Sequence, residues 1–323
     1  MNKKKPILIV AGEPFSIFSE ILFKTIKKYK LKKPIVVIGS HDLFKIQMKF
    51  LKYKIPFNNI TQNFNISSLK LNAINIIDIK LNFSKPFQKI SNISNSYIEK
   101  SFQLSLKLMK RNIFTGLING PISKKYFLKN KFLGITEYLA DKTKSRNFAM
   151  LIFNKNLSVS PITTHVPIKK ITKLISKTKI EKHVKIIINF YKKNFKKNPI
   201  IAITGLNPHC ESNLKNNEEK KIIIPTIKKL KKKYSKISGP YPTDSLFMKN
   251  NIKNFDVVIG MYHDQVLTPI KSICGFNAIN ITLGLPFIRI TPDHGPNENM
   301  RGKNKSNPES LISAIKFLEN KWI

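Results

Sequence analysis

Short apolar runs alternate along the chain with longer amphipathic, lysine-rich stretches, and this alternation restricts the fold more than any other feature. The apolar runs lie at 7–11, 35–38, 74–77, 114–118, 149–153, 158–163, 200–204, 257–261 and 278–281. Helical spacing is read at 18–29, 42–52, 96–111, 168–176, 180–194, 218–234 and 308–321. Parallel strands need long crossovers, and helices of this length supply them. The pattern therefore predicts an α/β fold with a largely parallel sheet. Apart from its one strand candidate, the stretch 59–94 is rich in Asn and Ser and holds either a hairpin or a long loop. A length of 323 residues suits two domains or one large α/β unit.

The charge balance is extreme, with 58 Lys+Arg against 18 Asp+Glu, a formal net charge of +40. Such a field suggests nucleic acid or an anionic surface. The composition of the surplus argues otherwise. Only Arg111, Arg146, Arg289 and Arg301 are arginines, whereas bidentate base and phosphate contacts favour the guanidinium fork. The lysines also spread over many segments. We read them as a solvated face that steers an anionic substrate or cofactor, with nucleic-acid binding as the distant alternative. No run approaches the ~18 apolar residues of a membrane span. The start MNKKKPILIVAGEP has too short an apolar run for a signal peptide and is expected to be a first strand. Cys210 and Cys274 are too few for a disulfide scaffold, and a reducing cytoplasm fits.

Polar and special residues gather in the loops after the strands, where open α/β sheets bind ligands. His165, His209 and His263 each follow a strand candidate, separated by 44 and 54 residues. One alone is an ordinary loop histidine. Three in equivalent loops suit a tri-imidazole metal site with an open position for substrate oxygen. Imidazole suits zinc, and neighbouring carboxylates extend the choice to manganese, cobalt or magnesium. Asp264 and Asp244 are candidates for orienting a bound imidazole or for taking a proton, and also for capping a helix. Lys271, Asn280 and Arg289 fall close together in sequence and could clamp phosphate or carboxylate. Thr136 opens a helix candidate, where it could either meet a phosphate or cap the helix. His41 and His183 read as structural or solvated. The chain has no GxGxxG and no GxxxxGK[ST], so a nicotinamide cofactor would need another kind of loop, and no cofactor-binding residues are assigned.

The segments GEPFSI, NGPISKKYF, GITEYLADKT, TTHVPI, GLNPHCES, GPYPTDSLF, DVVIGMYHDQVLTPIK and NAINITLGLPFIRITPDHG occur in this order. Together they resemble the 4-hydroxythreonine-4-phosphate dehydrogenase family of vitamin B6 synthesis. The resemblance implies an isocitrate/isopropylmalate dehydrogenase-like fold of two interleaved α/β/α domains around a central cleft. Residues 1–127 plus 283–323 would form one domain and 128–282 the other. It further implies a homodimer with its active site near the interface, NAD or NADP as oxidant, and one divalent ion per subunit. His165, His209 and His263 match the metal ligands. Thr136, Lys271, Asn280 and Arg289 match substrate contacts, and Asp244 and Asp264 match other active-site acids. Of the expected catalytic residues Lys271, Asp244 and Asp264, Lys271 or Asp244 is expected to take the substrate's proton. The implied reaction oxidises 4-phosphooxy-L-threonine. This chain departs from the pattern at Ile135, where the family has a substrate-contacting His. Losing a hydrogen bond to a charged group costs about 1.5–3 kcal/mol. A related phosphorylated hydroxy acid, such as a phospho-threonate, is the alternative substrate. CESNLKNNEE replaces a Gly-rich loop, and PNEN replaces the family's T-A-L-D.

Overall fold

The structure, a computed structural model, describes residues 5–128, 131–211, 217–274, 278–292 and 295–320. The chain forms two compact units, Met1–Leu139 with Phe287–Ile323, and Ala140–Pro286.

The first unit opens with β1 (Ile7–Val10), α1 (Phe18–Lys28), β2 (Ile35–Gly39), α2 (His41–Phe50), β3 (Phe57–Asn59), β4 (Ile74–Asp78), α3 (Asn95–Met109), β5 (Leu117–Asn119) and α4 (Ile135–Lys142), whose last residues belong to the second unit. The second unit continues with β6 (Ala149–Phe153), β7 (Ser158–Pro161), α5 (Ile171–Leu174), α6 (Lys177–Phe195), β8 (Ile201–Thr204), α7 (Ile224–Lys233), β9 (Ile237–Tyr241), α8 (Thr243–Leu246), α9 (Lys249–Ile252), β10 (Val257–Gly260), α10 (His263–Cys274) and β11 (Ile279–Leu283). The chain returns to the first unit with β12 (Arg289–Thr291) and α11 (Glu309–Leu318).

In the first unit the strands run β3-β4-β2-β1-β5-β12, every pair parallel. Ile7, Leu8, Ile9 and Val10 are fully buried, as expected of a central strand covered on both faces. Full burial of each such side chain contributes about 1.5–3 kcal/mol. Helix α2 starts where Ser40 Oγ accepts from Leu43 N at 3.4 Å, with Asp42 in the first turn and Lys49 in the last, both favourable to the helix dipole. The stretch 59–94 holds β4 and two short 3-10 turns, and β3 lies parallel to β4, so it contains no hairpin among the described residues.

In the second unit the order is β11-β6-β7-β10-β8-β9, with β6 antiparallel to β11 and β7 and the remaining pairs parallel. Helix α10 packs Val266, Leu267 and Ile270 into a core with Val159, Ala202 and Val258 from the adjacent strands. That seat fixes His263, the first residue of the helix, at the carboxyl end of β10.

Candidate active site

The first unit contains a fully buried arginine on β12. Arg289 pairs across to Leu117 of β5, and its neighbours in LPFIRIT place it inside rather than at the surface. Its Nε donates to Asn119 Oδ1 at 2.7 Å and its Nη1 to Thr136 Oγ1 at 3.0 Å. Asn119 Oδ1 also accepts from Thr291 Oγ1 at 3.1 Å, and Asn119 Nδ2 donates to Gly120 O at 2.9 Å. Burial pulls the guanidinium down to about 9, against the opposing influence of the Glu137 carboxylate, so it remains a cation at neutral pH. Thr136 sits in the first turn of α4, and its hydroxyl accepts from the guanidinium. Ile135 beside it is half-buried and offers no polar atom. Sequence reasoning singled out Arg289 and Thr136, which the fold joins. It missed Asn119, which sits in NGP at the end of β5.

The histidine loops all belong to the second unit and leave the carboxyl ends of interior strands of its sheet. β7, β10 and β8 are adjacent and parallel, so the loops bearing His165, His263 and His209 emerge side by side in that order. The His165 and His263 rings lie 5.5 Å apart between centroids. His263 Nδ1 donates to Asp264 Oδ1 at 2.6 Å, which orients the ring and leaves Nε2 for a ligand. His209 is exposed in a turn where it and Cys210 both have left-handed backbone, φ 55° and 59°. Two consecutive non-glycine residues there hold strain of the kind that gathers at functional loops. Cys210 Sγ reaches so near Gly205 that a Cβ at that position would meet it at 2.7 Å. Among the described residues no group of three His, Cys, Asp or Glu side chains is drawn close enough together to hold a metal ion. The donors fit a divalent ion in kind: neighbouring imidazoles, one of them oriented by a carboxylate.

Three buried polar side chains that sequence reasoning missed stitch these loops together. Thr163 Oγ1 donates to Met261 O at 2.8 Å, tying the His165 loop to the His263 loop. Gln265 Oε1 accepts from Met261 N at 2.7 Å and Thr204 Oγ1 at 3.0 Å, while its Nε2 donates to Gly205 O at 2.7 Å. It thereby joins the His263 loop to the His209 loop. Glu219 Oε1 accepts from Leu206 N at 2.7 Å and Asn207 N at 2.8 Å, and Oε2 accepts from Asn207 Nδ2 at 2.8 Å. Burial raises the Glu219 carboxyl, but these donors outweigh it and hold the group below its ordinary value.

The remaining candidates also lie in the second unit. Asp244 is exposed in α8, with Oδ1 accepting from Ser245 N at 2.7 Å, and its charge helps to push up the Cys210 thiol, which burial raises first. Lys271 is exposed in α10. Asn280 lies on β11 opposite Ile152 of β6, and its Oδ1 has no hydrogen-bond partner among the described residues. His183, read as structural or solvated, is buried in α6 and bonded to Ser160 Oγ at 2.7 Å. Of the sequence departures, 212–216 in the loop after His209 lies outside the described residues.

The family model of the pyridoxal phosphate biosynthetic protein PdxA matches residues 30–318. A 4-hydroxythreonine-4-phosphate dehydrogenase from Sulfurihydrogenibium sp. is 36% identical over 316 residues, covering 96% of each chain. A crystal structure of the Klebsiella pneumoniae 4-hydroxythreonine-4-phosphate dehydrogenase superposes with a TM-score of 0.84 at 26% identity, over 99% of this chain and 100% of that one. The isocitrate dehydrogenase of Methylococcus capsulatus shares the fold alone, with a TM-score of 0.51 at 9% identity over 97% of this chain and 85% of that one. With a matched span reaching from just before β2 to the end of α11, the chain belongs to the PdxA family of pyridoxal phosphate biosynthetic proteins, on an isocitrate dehydrogenase-like α/β fold.

Proposed function

We propose that this chain oxidises 4-phosphooxy-L-threonine to 2-amino-3-oxo-4-phosphooxybutanoate with NAD or NADP, in the cytoplasm and as a homodimer. The product is a β-keto acid, which loses CO₂ to give 3-amino-2-oxopropyl phosphate for pyridoxal phosphate synthesis. The observation that carries the reading is the set of histidine loops on adjacent strand ends, with His165 and His263 5.5 Å apart and His263 oriented by Asp264. His165, His209 and His263 would hold one divalent ion, which would supply Lewis acidity toward the substrate's secondary hydroxyl. NAD or NADP, when bound, would supply the hydride acceptor. Lys271 and Asp244 are the groups proposed to take the hydroxyl proton. Arg289 and Thr136 bind an anionic group of the substrate, Lys271 adds a second cation, and Asn280 Oδ1, which has no hydrogen-bond partner among the described residues, accepts from a hydroxyl or ammonium group of the substrate.

His209→Ala tests this scheme. The variant should lose metal-dependent turnover and bind less than a tenth of the wild-type divalent metal, read by elemental analysis after dialysis. Full activity in a metal-free variant would end the proposal. Ile135 favours one second reading, oxidation of a phospho-threonate, because the side chain provides no hydrogen bond where the family has a His. Comparing kcat/KM for the two substrates separates the readings.

A further inference from the structure

We infer that Asn119 is a positioning residue for anion binding: its carboxamide fixes the direction of the Arg289 fork without adding a charge. This rests on the proposed role of Arg289 in gripping the phosphorylated substrate. Asn119 is buried at the end of β5, and both ends of its amide are engaged. Oδ1 accepts from Arg289 Nε at 2.7 Å and from Thr291 Oγ1 at 3.1 Å, while Nδ2 donates to Gly120 O at 2.9 Å. The donor to Gly120 settles which way round the amide lies, and so aims the oxygen at the guanidinium.

The geometry separates two properties of the side chain. Its shape holds Arg289 Nε, so the planar fork is fixed from one side by Asn119 and on Nη1 by the Thr136 hydroxyl at 3.0 Å. A fork fixed in this way needs less ordering when an oxyanion binds. Its neutrality leaves the field of Arg289 undiminished by Asn119. An aspartate would keep an acceptor at the same place, lose the donor to Gly120 O, and add a negative charge within hydrogen-bond distance of the guanidinium, where low dielectric makes such charges count.

Asn119→Asp is therefore the informative substitution, with Arg289→Lys as the control. In the intact enzyme, Asn119→Asp should raise KM for the phosphorylated substrate at least tenfold, leave kcat within about twofold, and weaken competitive inhibition by inorganic phosphate to the same extent. Arg289→Lys should raise KM at least as much. A purely structural role predicts that Asn119→Asp, which loses the donor to Gly120 O, lowers stability in urea unfolding but leaves KM and the phosphate inhibition constant unchanged. If Arg289→Lys impairs binding and Asn119→Asp does not, the positioning role is wrong and the reading of Arg289 stands. If Arg289→Lys has no effect on KM or phosphate inhibition, both fall. Should Asn119→Asp fail to fold, Thr291→Val removes only the hydroxyl that steadies Asn119 Oδ1. It should raise KM about threefold, and an unchanged KM overturns the inference.

Discussion

Glu13 makes the stability of this protein depend on pH in a direction opposite to that of most carboxylates. It lies between β1 and α1, only 1% exposed. Oε1 accepts from Ser94 Oγ at 3.0 Å and from Phe15 N at 3.5 Å, while Oε2 has no hydrogen-bond partner among the described residues. Burial raises its pKa first and most; Ser94, the Phe15 N–H and the Arg301 charge pull it down, Glu298 pushes it up, and the group settles at about 7 from 4.5. The folded protein therefore holds this proton more tightly than the unfolded chain. The associated stability is fully present below pH 4.5 and is lost as pH rises to about 7, a change of about 3 kcal/mol. Glu13→Gln removes the ionisation while keeping the Oε1 acceptor. Its amide N–H groups inherit the unpartnered position, a constant cost of about 1–3 kcal/mol at every pH. Urea unfolding of both proteins from pH 4.5 to 8 isolates the titrating part. The free-energy difference should move by about 3 kcal/mol in favour of the variant across that range. Parallel pH profiles would refute the assignment of a buried, proton-holding Glu13.

Two further outcomes follow from buried polar groups in the second unit. Gln265→Leu leaves Thr204 Oγ1, Met261 N and Gly205 O without the partner that joins two histidine loops, so it should cost about 3–5 kcal/mol in urea unfolding and weaken divalent-ion binding at least tenfold by calorimetry. Unchanged metal affinity would show that the loops hold their positions without it. His183 is lowered from 6.5 to about 3, by burial first and by the Lys179 charge second, so its contribution is present above pH 6.5 and is lost as pH falls towards 3. His183→Gln should flatten the acid side of the stability profile by about 4–5 kcal/mol, and an unaltered acid midpoint would contradict this.

How much of this could be read from the sequence depends on whether a feature is made by local pattern or by distant contact. Runs such as those of β1, β2 and β6 were legible because strands covered on both faces need continuous apolar side chains. β9, with sequence ISGPY, and β12, with sequence RIT, carry Gly, Pro or a charge and were passed over; their neighbours in the sheet decide them. The expected strand at 114–118 begins only at Leu117, and at Gly116 a Cβ would meet Leu318 Cδ2 at 2.6 Å and Ile288 O at 3.0 Å. The expected helix at 168–176 breaks into a 3-10 turn and the short α5. The one at 218–234 begins with a π-turn ahead of Pro225, which has no N–H to donate into a regular α ladder.

The candidate site divides in the same way. Arg289 was visible because arginine is rare in a chain that uses Lys on its surface, and the histidines because they share a position relative to their strands. Asn119, Gln265 and Glu219 were invisible because their meaning lies in hydrogen bonds closed by the fold. Arg289 and Asn119 are 170 residues apart, and Gln265 and Thr204 are 61 apart. In an Asn-rich chain no local signal separates the amide that aims a guanidinium from those that only meet water. Burial makes that distinction. Removing a buried amide strands its partners at about 1–3 kcal/mol each, whereas an exposed Asn can be replaced with almost no cost. The sequence thus displays the groups proposed to meet substrate, while the groups that hold them in place become visible only when the strands are ordered side by side.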